Sequence, residues 1–150
     1  MMIFNGVADL GSAVGTHLGY GDWLTVTQQR VNLFADATGD HQWIHVDPEA
    51  AAAGPFGAPI AHGFLTLSLV SSLTAPIWRV EGLKMGINYG CNKVRFPSAV
   101  RVGDRIRAGA ELSGVTPTPA GTQMTVTVTV EIDGGAKPAC VAEWLLLLVD

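Results

Sequence analysis

The sequence predicts an α+β fold in which an antiparallel β-sheet wraps around one long central helix at about residues 63–75. Three observations lead to this prediction. The segment GFLTLSLVSSLTA (63–75) is apolar on nearly all sides, as in a helix that is buried all round. From residue 83 onward, apolar residues alternate with polar ones instead of recurring at helical spacing. Helices come early and strands late, which favours segregated α and β elements over alternating β/α units.

The N-terminal part of the chain is predicted to lead into an amphipathic helix. Residues 1–17 are expected to form an arm or short helix, and residues 19–25 contain a short strand. Thr27 has the residue type of an N-cap for a helix over 28–38, whose apolar residues give it one buried face. Gly39 then lies where a glycine commonly ends a helix.

A second short helix is predicted to begin at Pro48. Asp47 can cap it, proline suits the first helical position, and the following EAAAA favours helix until a Gly-Pro pair ends it. The segment FGAPIAHG (56–63) contains two glycines and a proline, so it is expected to be irregular. The central helix follows, and Pro76 ends it.

The remainder of the chain is predicted to form about five antiparallel strands. Val126, Val128 and Val130 alternate with threonines, which is typical of a strand with one covered face. VGD (102–104) and DGG (133–135) supply turns between strands. The strand segments are 83–90, 92–97, 105–115, 123–133 and 139–149.

Composition indicates one domain, residues 1–150, that associates with a second copy. A chain of 150 residues has an ordinary single-domain size. Its content of 48% apolar and 15% charged residues is unusual for a soluble monomer, so a second subunit is expected to cover part of the surface. A curved sheet around a helix also leaves edges, and edge-to-edge pairing would remove one of them. We therefore expect a homodimer.

Charge and cysteine usage exclude several classes of partner. The formal net charge is −4 and the basic residues are scattered, so neither nucleic acid nor an anionic membrane is an expected partner. Cys91 and Cys140 stand alone, as reduced thiols of a cytosolic protein do. The N-terminus lacks the pattern of a signal peptide, and the longest apolar run, residues 144–149, is far too short to span a bilayer. A cytoplasmic protein without membrane insertion is expected.

The stretch TGDHQWIH (38–45) concentrates groups that hold or move protons, and it is predicted to be the loop after the first helix. A turn there would bring Asp40 and His45 over one cavity, where the imidazole can act as a base and the carboxylate can orient it. Gln42 can donate and accept hydrogen bonds in the same site. The alternative is that Asp40 is a solvated turn residue.

A metal site at His41 and His45 is a further alternative, because the two histidines are four residues apart. That spacing needs a helix to aim both rings at one ion, and Gly39-Asp40 breaks the helix at this point. No metal is expected.

The sequence AHG (61–63) supplies a second candidate. Gly63 begins the central helix, so its N–H lacks an intrahelical partner and points to a place where negative charge is stabilised. Alternatively, Gly63 only permits close helix–sheet packing. His62 is expected to be a structural histidine and not a base. Ser71 and Thr74 share one helix face with Gly63 and are candidates to line a tunnel. The alternative is that they bond to carbonyls one turn back.

Residues 34–69, FADATGDHQWIHVDPEAAAAGPFGAPIAHGFLTLSL, closely resemble the hydratase motif of MaoC-like, R-specific enoyl-CoA hydratases. The resemblance lies in G-D-x-x-x-x-H followed by F-G-x-x-I-x-H-G, and it continues more weakly through NKVRFPSAVRVGDRI (92–106). It implies the hot-dog fold, which is usually dimeric. Where the family commonly has Asn-Pro, this chain has Gln42-Trp43, so packing must hold the loop in place of the proline.

The resemblance implies reversible syn addition of water to a trans-2-enoyl-CoA, which gives the (3R)-hydroxyacyl-CoA. Asp40 and His45 would activate one water, and the Gly63 N–H would hold the thioester carbonyl oxygen. No cofactor is expected, because CoA is part of the substrate. Three alternatives remain. They are a (3R)-hydroxyacyl-ACP dehydratase of fatty-acid synthesis, a hot-dog thioesterase, and a non-catalytic subunit that stabilises another hot-dog protein.

Further residues are expected to contact the substrate. The nucleotide end of CoA needs a cationic surface, for which Lys93 and Arg95 are candidates, with a solvated strand end as the alternative. The other substrate-contact candidates are Gln42, Phe56, Gly57, Ser71 and Thr74.

Overall fold

The computed structural model describes residues 1–150, and its largest element is a six-stranded antiparallel sheet. The strands are β1 (Met2–Phe4), β2 (His17–Tyr20), β3 (Leu24–Thr25), β4 (Trp78–Val80), β5 (Met85–Arg95), β6 (Arg105–Thr118), β7 (Gly121–Ile132) and β8 (Cys140–Val149). The large sheet has the order β2-β6-β7-β8-β5, with β3 also paired to β6, while β1 and β4 form a separate parallel pair. The α+β class predicted from the sequence is confirmed.

Five short α-helices and one 3-10 helix complete the structure. The α-helices are α1 (Gln28–Thr38), α2 (Trp43–Val46), α3 (Pro48–Ala52), α4 (Gly63–Ser68) and α5 (Val70–Thr74), and the 3-10 helix covers Val7–Ala13. No helix is both long and apolar enough to cross a membrane.

Both ends of α1 and the start of α3, which lie around residues 38–45, are formed as the sequence predicts. Thr27 caps α1, because its hydroxyl accepts the Arg30 N–H at 3.2 Å. Gly39 ends α1 in the left-handed region at φ 79°. Asp47 caps α3 through a hydrogen bond of 3.0 Å from the Ala50 N–H, with proline in the first helical position.

The central helix differs from the prediction because it is interrupted at Leu69, which separates α4 from α5. The hydroxyl of Ser68 donates to the Phe64 carbonyl oxygen at 2.7 Å, one turn back along the helix. The Thr74 hydroxyl makes the same kind of bond to Val70 at 2.8 Å. The two bonds lie on either side of Leu69, and side-chain bonds of this kind to helix carbonyls often bend a helix.

The central helix is also not buried all round, which corrects the sequence prediction. Leu65, Leu69 and Leu73 belong to the core, but Phe64 is 69% exposed. Ser68 and Ser71 are exposed on the same outward side. Because Phe64 is apolar, the hydropathy of the sequence does not reveal that this side of the helix is exposed.

Strand β5 joins two predicted strands, 83–90 and 92–97, into one edge strand with irregular pairing. Its register against β8 shifts between Asn88 and Gly90 and again between Cys91 and Val94. Bulges of this kind let a strand continue while its direction and side-chain alternation change. The two predicted segments are therefore a single bulged strand.

The core lies between the sheet and the α4–α5 pair. Val126, Val128 and Val130 of β7 are fully buried, as their alternation with threonines predicts. They belong to a cluster of 25 buried residues that includes the core leucines of α4 and α5. This packing fixes the start of α4 relative to the sheet.

Candidate active site

Residues 38–45 combine a tight turn with one helical turn. Gly39 reverses the chain after α1, and Asp40 follows in an exposed position. The second half of the stretch is helical in α2, which corrects the prediction that the whole stretch is a loop. The Trp43 ring packs on Gly54, where an added Cβ would approach it to 2.9 Å. This contact holds the loop at the position where the family commonly has proline.

His45 is buried, and its orientation is fixed by main-chain contacts. Its Nδ1 lies 2.7 Å from the Ile60 carbonyl oxygen, and because a carbonyl only accepts, Nδ1 carries the proton. The Ile60 N–H in turn donates to the Ile44 carbonyl oxygen at 2.9 Å. The side-chain amide of Gln28 donates to the His45 carbonyl oxygen at 2.8 Å. The remaining ring nitrogen, Nε2, therefore keeps a lone pair that can accept a proton.

Asp40 makes three hydrogen bonds, of which the one from its N–H to the Thr38 hydroxyl is long, at 3.4 Å. One carboxylate oxygen accepts the Gln42 N–H at 3.3 Å, and the Asp40 carbonyl oxygen accepts a hydrogen bond of 2.9 Å from His62 Nε2. Asp40, His45 and His62 each contribute one side-chain O or N atom to a group in which these atoms all lie within 4.8 Å of one another. One water with hydrogen bonds of about 2.8 Å can bridge such a gap.

The two buried histidines stack on each other. The rings of His45 and His62 have centroids 3.8 Å apart and planes inclined by 24°. His62 is 3% exposed, and its Nδ1 is buried without a hydrogen-bond partner. The Phe34 ring lies on it with a centroid separation of 4.9 Å.

His41, the other histidine of the stretch, turns away from this cluster. It is exposed and forms an ion pair of 2.9 Å with Asp36. The hydrogen bond that His41 donates to the Asp36 carboxylate raises the pKa of His41 above its ordinary value of 6.5. Of the two histidines in the stretch, His45 is the one that belongs to the site.

Gly63 begins α4 beside the cluster. As the first helical residue, its N–H has no acceptor within the helix. A Cβ at this position would lie 3.1 Å from the Phe96 ring, so glycine keeps the helix start open. A cavity of about 420 Å³ is lined by Phe34, Thr38, Asp40, His45, His62, Gly63, Phe64 and Ser68. The structure therefore brings Asp40, His45 and Gly63 to one cavity, as the sequence predicts.

Two further cavities adjoin this one. Gly63 also lines a cavity of about 400 Å³ together with Phe56 and Phe96. Ser68 also lines a recess of about 200 Å³ that includes Ser71 and Trp144. Each of these cavities shares one lining residue with the cavity of Asp40 and His45, so the three lie next to one another along α4.

Several predicted contact residues lie apart from the cavity of Asp40 and His45. Gln42 caps α2 without a side-chain hydrogen bond, and Gly57 lies in a turn at φ 70°. Thr74 is buried, and its hydroxyl donates to the Val70 carbonyl oxygen. This is the bond to a carbonyl one turn back that was the alternative to lining a tunnel. Lys93 and Arg95 are exposed on β5 and form no ion pair.

The sequence did not single out several residues that line the cavity. Phe34 and Thr38 are four residues apart, so the helical spacing places both on the predicted inward face of α1. Phe64 and Ser68 follow Gly63 on α4, but nothing in their residue types distinguishes them from core or surface residues. His62 was expected only as a structural histidine, and the structure places it under the candidate catalytic pair.

The cluster of Asp40, His45 and His62 is not arranged as a formed metal site. Tetrahedral zinc has bonds of about 2.0–2.2 Å, which bring ligand atoms to within about 3.5 Å of one another. Here the candidate ligand atoms are grouped only within a wider limit of 4.8 Å, and the two rings are stacked, so their in-plane lone pairs do not point at one common ion. The expectation that no metal is needed stays a prediction.

The arrangement has the parts needed for proton transfer beside a carbonyl group. An imidazole with one free nitrogen and a carboxylate lie within reach of one water, and an N–H at a helix start lies in the same cavity. Such a donor stabilises an oxygen that gains negative charge. The chemistry that fits is addition of water to, or removal of water from, a carbon chain next to a thioester or similar carbonyl.

Comparisons with known proteins agree with this chemistry. The family model described as MaoC like domain matches residues 9–134. The 3-hydroxyacyl-thioester dehydratase Z of Mycobacterium tuberculosis is 59% identical over 150 residues, which is 99% of each chain. Nodulation protein N of Rhizobium meliloti is 49% identical over 146 residues, with 94% of this chain and 89% of that protein covered. The unliganded R-hydratase of Pseudomonas aeruginosa superposes with a TM-score of 0.76 at 25% identity, covering 97% of this chain and 86% of that one.

Proposed function

This chain belongs to the MaoC-like domain family and is a hydratase/dehydratase enzyme with the hot-dog fold, and we propose that it is an R-specific enoyl-CoA hydratase. It reversibly adds water to trans-2-enoyl-CoA to give (3R)-hydroxyacyl-CoA. One observation carries the proposal. Asp40, His45 and Gly63 line one cavity of about 420 Å³, and the Nδ1–H bond of His45 to Ile60 leaves Nε2 available as a base.

In the proposed reaction, Asp40 and His45 hold one water between them. His45 Nε2 takes a proton from the water while the water oxygen bonds to C3 of the enoyl group. The electrons of the C2–C3 double bond move to the thioester, whose oxygen gains negative charge. As that charge moves back, the imidazolium of His45 gives its proton to C2 on the face from which the oxygen added. The hydroxyl group and the proton therefore add syn, and the neutral base is restored. Asp40 orients the water and the imidazolium that forms.

Gly63 is the proposed donor to the thioester oxygen. Its N–H is unpaired within α4, and it lines the same cavity as the base. Helix-start N–H groups carry partial positive charge, which stabilises a developing enolate oxygen more than a neutral carbonyl. This difference in binding lowers the barrier to the chemical step.

The two adjoining cavities suggest how the thioester lies. The recess beyond Ser68, which reaches Ser71, accommodates the acyl chain. The cavity lined by Phe56 and Phe96 accommodates the pantetheine arm on the other side of Gly63. From there, the exposed cations Lys93 and Arg95 are on the neighbouring strand and are suited to the phosphates of CoA.

The active form is proposed to be a homodimer that pairs along β5. This strand is one edge of the sheet, and its Met85, Ile87 and Tyr89 are 52%, 41% and 65% exposed. An exposed apolar edge strand is a template for pairing with another chain. Pairing there would also cover the outward side of α4, where Phe64 is exposed. The proposed reaction uses no cofactor beyond the CoA of the substrate.

The proposal is tested by incubating the purified protein with crotonyl-CoA and with longer enoyl-CoAs. Loss of the absorbance of the conjugated thioester, with (3R)-hydroxyacyl-CoA as the product, is the expected result. A product of the opposite hand, or no turnover of any enoyl thioester, would contradict it. In the second case, the non-catalytic role as a subunit of another hot-dog protein would be favoured.

A second candidate function is the (3R)-hydroxyacyl-ACP dehydratase reaction, which uses the same residues in the direction of elimination. The 59% identical relative, whose name specifies a hydroxyacyl thioester and not its carrier, favours keeping this candidate. Equal concentrations of CoA and carrier-protein thioesters separate the two, because the natural carrier gives the larger kcat/KM. A thiol-specific reagent in the same assay detects free CoA, which only a thioesterase releases.

A further inference from the structure

His62 plays no part in the proposed chemistry, yet it is the best-enclosed polar residue of the site. It is 3% exposed, it precedes the proposed oxyanion donor in the chain, and it contacts both members of the catalytic pair. Resting on the function proposed above, we infer that His62 is a positioning residue: its Nε2–H fixes the main chain of Asp40, and its ring supports the ring of His45.

The hydrogen bond to Asp40 has one direction. The acceptor is a carbonyl oxygen, so His62 Nε2 carries the proton and donates it at 2.9 Å. His62 Nδ1 then holds a lone pair, and it is sealed from solvent without a partner. A proton at Nδ1 would find no acceptor, so the burial of this atom reinforces the tautomer that donates to Asp40.

The bond matters because Asp40 is otherwise weakly held. Asp40 is exposed, and its carboxylate has only a long contact of 3.3 Å to the Gln42 N–H. It follows Gly39, a residue in the left-handed region whose backbone is permissive. The His62 contact therefore joins this turn to the start of α4, 22 residues later, and sets the distance between the carboxylate and the Gly63 N–H.

The stack against His45 fixes the other half of the pair. Rings 3.8 Å apart with planes inclined by 24° prevent the His45 ring from tilting toward α4, while the Ile60 carbonyl holds its Nδ1. The Phe34 ring packs against the His62 ring with a centroid separation of 4.9 Å. Misplacement of a reacting group by about 1 Å can lower a rate by roughly 10²-fold, so such support has a direct effect on kcat.

Two substitutions separate the roles of the ring and the bond. His62→Phe keeps an aromatic ring for the stack but removes the donor to Asp40, and His62→Gln keeps an N–H donor of similar reach but removes the ring. We expect His62→Phe to lower kcat on crotonyl-CoA by about 10- to 100-fold with little change in KM. His62→Gln, which keeps a donor but loses the stack on His45, should also lower kcat with little change in KM. His41→Gln, on an exposed histidine of the same loop, is the matched control and should leave kcat unchanged.

A double-variant cycle distinguishes positioning from a general loss of folding. If His62 acts through Asp40, adding His62→Phe to Asp40→Asn should change the residual rate by less than about twofold, because the two effects are not additive. Full additivity, or wild-type kcat in either His62→Phe or His62→Gln, would overturn the inference.

A measurement on the unmodified protein covers the case in which the His62 variants do not fold. Nitrogen NMR of the imidazole rings should show His62 protonated at Nε2 and His45 protonated at Nδ1. A His62 ring protonated at Nδ1 could not donate to Asp40 and would overturn the inference. The proposed function fails separately, through full activity of Asp40→Asn or His45→Gln, so the two failures are distinguishable.

Discussion

The Nδ1–H of His45 donates to the carbonyl oxygen of Ile60 at 2.7 Å, and this bond joins the two motifs of the chain. His45 belongs to the G-D-x-x-x-x-H stretch, and Ile60 belongs to F-G-x-x-I-x-H-G. The Ala61 N–H also donates to the Val100 carbonyl oxygen at 2.8 Å, so the second motif is tied to the segment before β6. The Nδ1 side of the base is thus held by a main-chain atom, while the His62 ring packs against its face.

Replacement of Gly63 tests the oxyanion donor. Gly63→Pro removes the N–H at the first helical position, where proline is well tolerated. His62 has φ −58° and ψ 138°, a conformation compatible with a following proline. We expect kcat to fall by about 10²–10³-fold relative to Gly63→Ala, measured on crotonyl-CoA.

Gly63→Ala is the matched control for this substitution. It adds a Cβ 3.1 Å from the Phe96 ring but keeps the N–H, so it reports the steric effect alone. Equal kcat values for the alanine and proline variants would show that the N–H takes no part in the reaction.

Filling the recess beyond Ser68 tests the acyl path. Ser71→Leu places a larger side chain in a recess of about 200 Å³. The variant should lose kcat/KM on eight-carbon enoyl-CoA by about tenfold or more while its kcat/KM on crotonyl-CoA stays within about twofold, because only the longer chain reaches Ser71. Ser72→Leu, which lines a different cavity, is the control and should not discriminate between the substrates. Parallel losses on both substrates in Ser71→Leu would place the acyl chain elsewhere.

The buried thiol of Cys140 predicts a loss of stability at alkaline pH. Burial, followed by the nearby Cys91, raises the pKa of Cys140 from 9.0 to about 11. The folded protein thus keeps a proton that the unfolded chain loses between these values. Ionisation of Cys140 therefore leaves the free energy of unfolding unchanged below pH 9. As the pH rises to 11, it lowers this free energy by about 2–3 kcal/mol at most.

Urea unfolding of wild type and Cys140→Ala at pH 8 and pH 10.5 measures this effect. Other groups titrate in the same range, so the relevant quantity is the difference between the two proteins. The wild type should lose more free energy of unfolding than the variant on going to pH 10.5. An identical loss in both would show that Cys140 is ionised as readily in the folded state as in the unfolded one.

A charged residue on the edge strand tests the dimer. Ile87→Lys places a cation on β5 among exposed apolar side chains, where pairing with a second copy would bury it. We expect light scattering to show a dimer for the wild type and a monomer for this variant at micromolar concentration. Ser113→Lys, on an exposed position of the inner strand β6, is the control and should remain dimeric. A dimeric Ile87→Lys protein would exclude β5 from the interface.

Local signals predicted the elements around the site, because caps and turns depend on a few neighbouring residues. Thr27 and Gly39 bound α1 as predicted, and the valines of β7 alternate inward as predicted. Asp40, His45 and Gly63 were found because their types and spacing match a chemical need, and the structure brings them to one cavity.

What the sequence did not reveal depends on tertiary contacts. The break at Leu69 and the exposed side of α4, where Phe64 lies, are features that hydropathy does not record. His62 matters through a stack and a bond to a residue 22 positions away. No local pattern distinguishes such a histidine from one that only fills the core.

The most direct test of the account is the rate of crotonyl-CoA hydration by Asp40→Asn and His45→Gln, beside wild type and His41→Gln. Removal of a general acid–base group typically costs about 10²–10⁴-fold, so we expect losses of that size in both variants, with circular dichroism and dimerisation unchanged. His41→Gln should hydrate crotonyl-CoA at the wild-type rate. Wild-type activity in either the Asp40 or the His45 variant would contradict the claim that these two side chains activate one water.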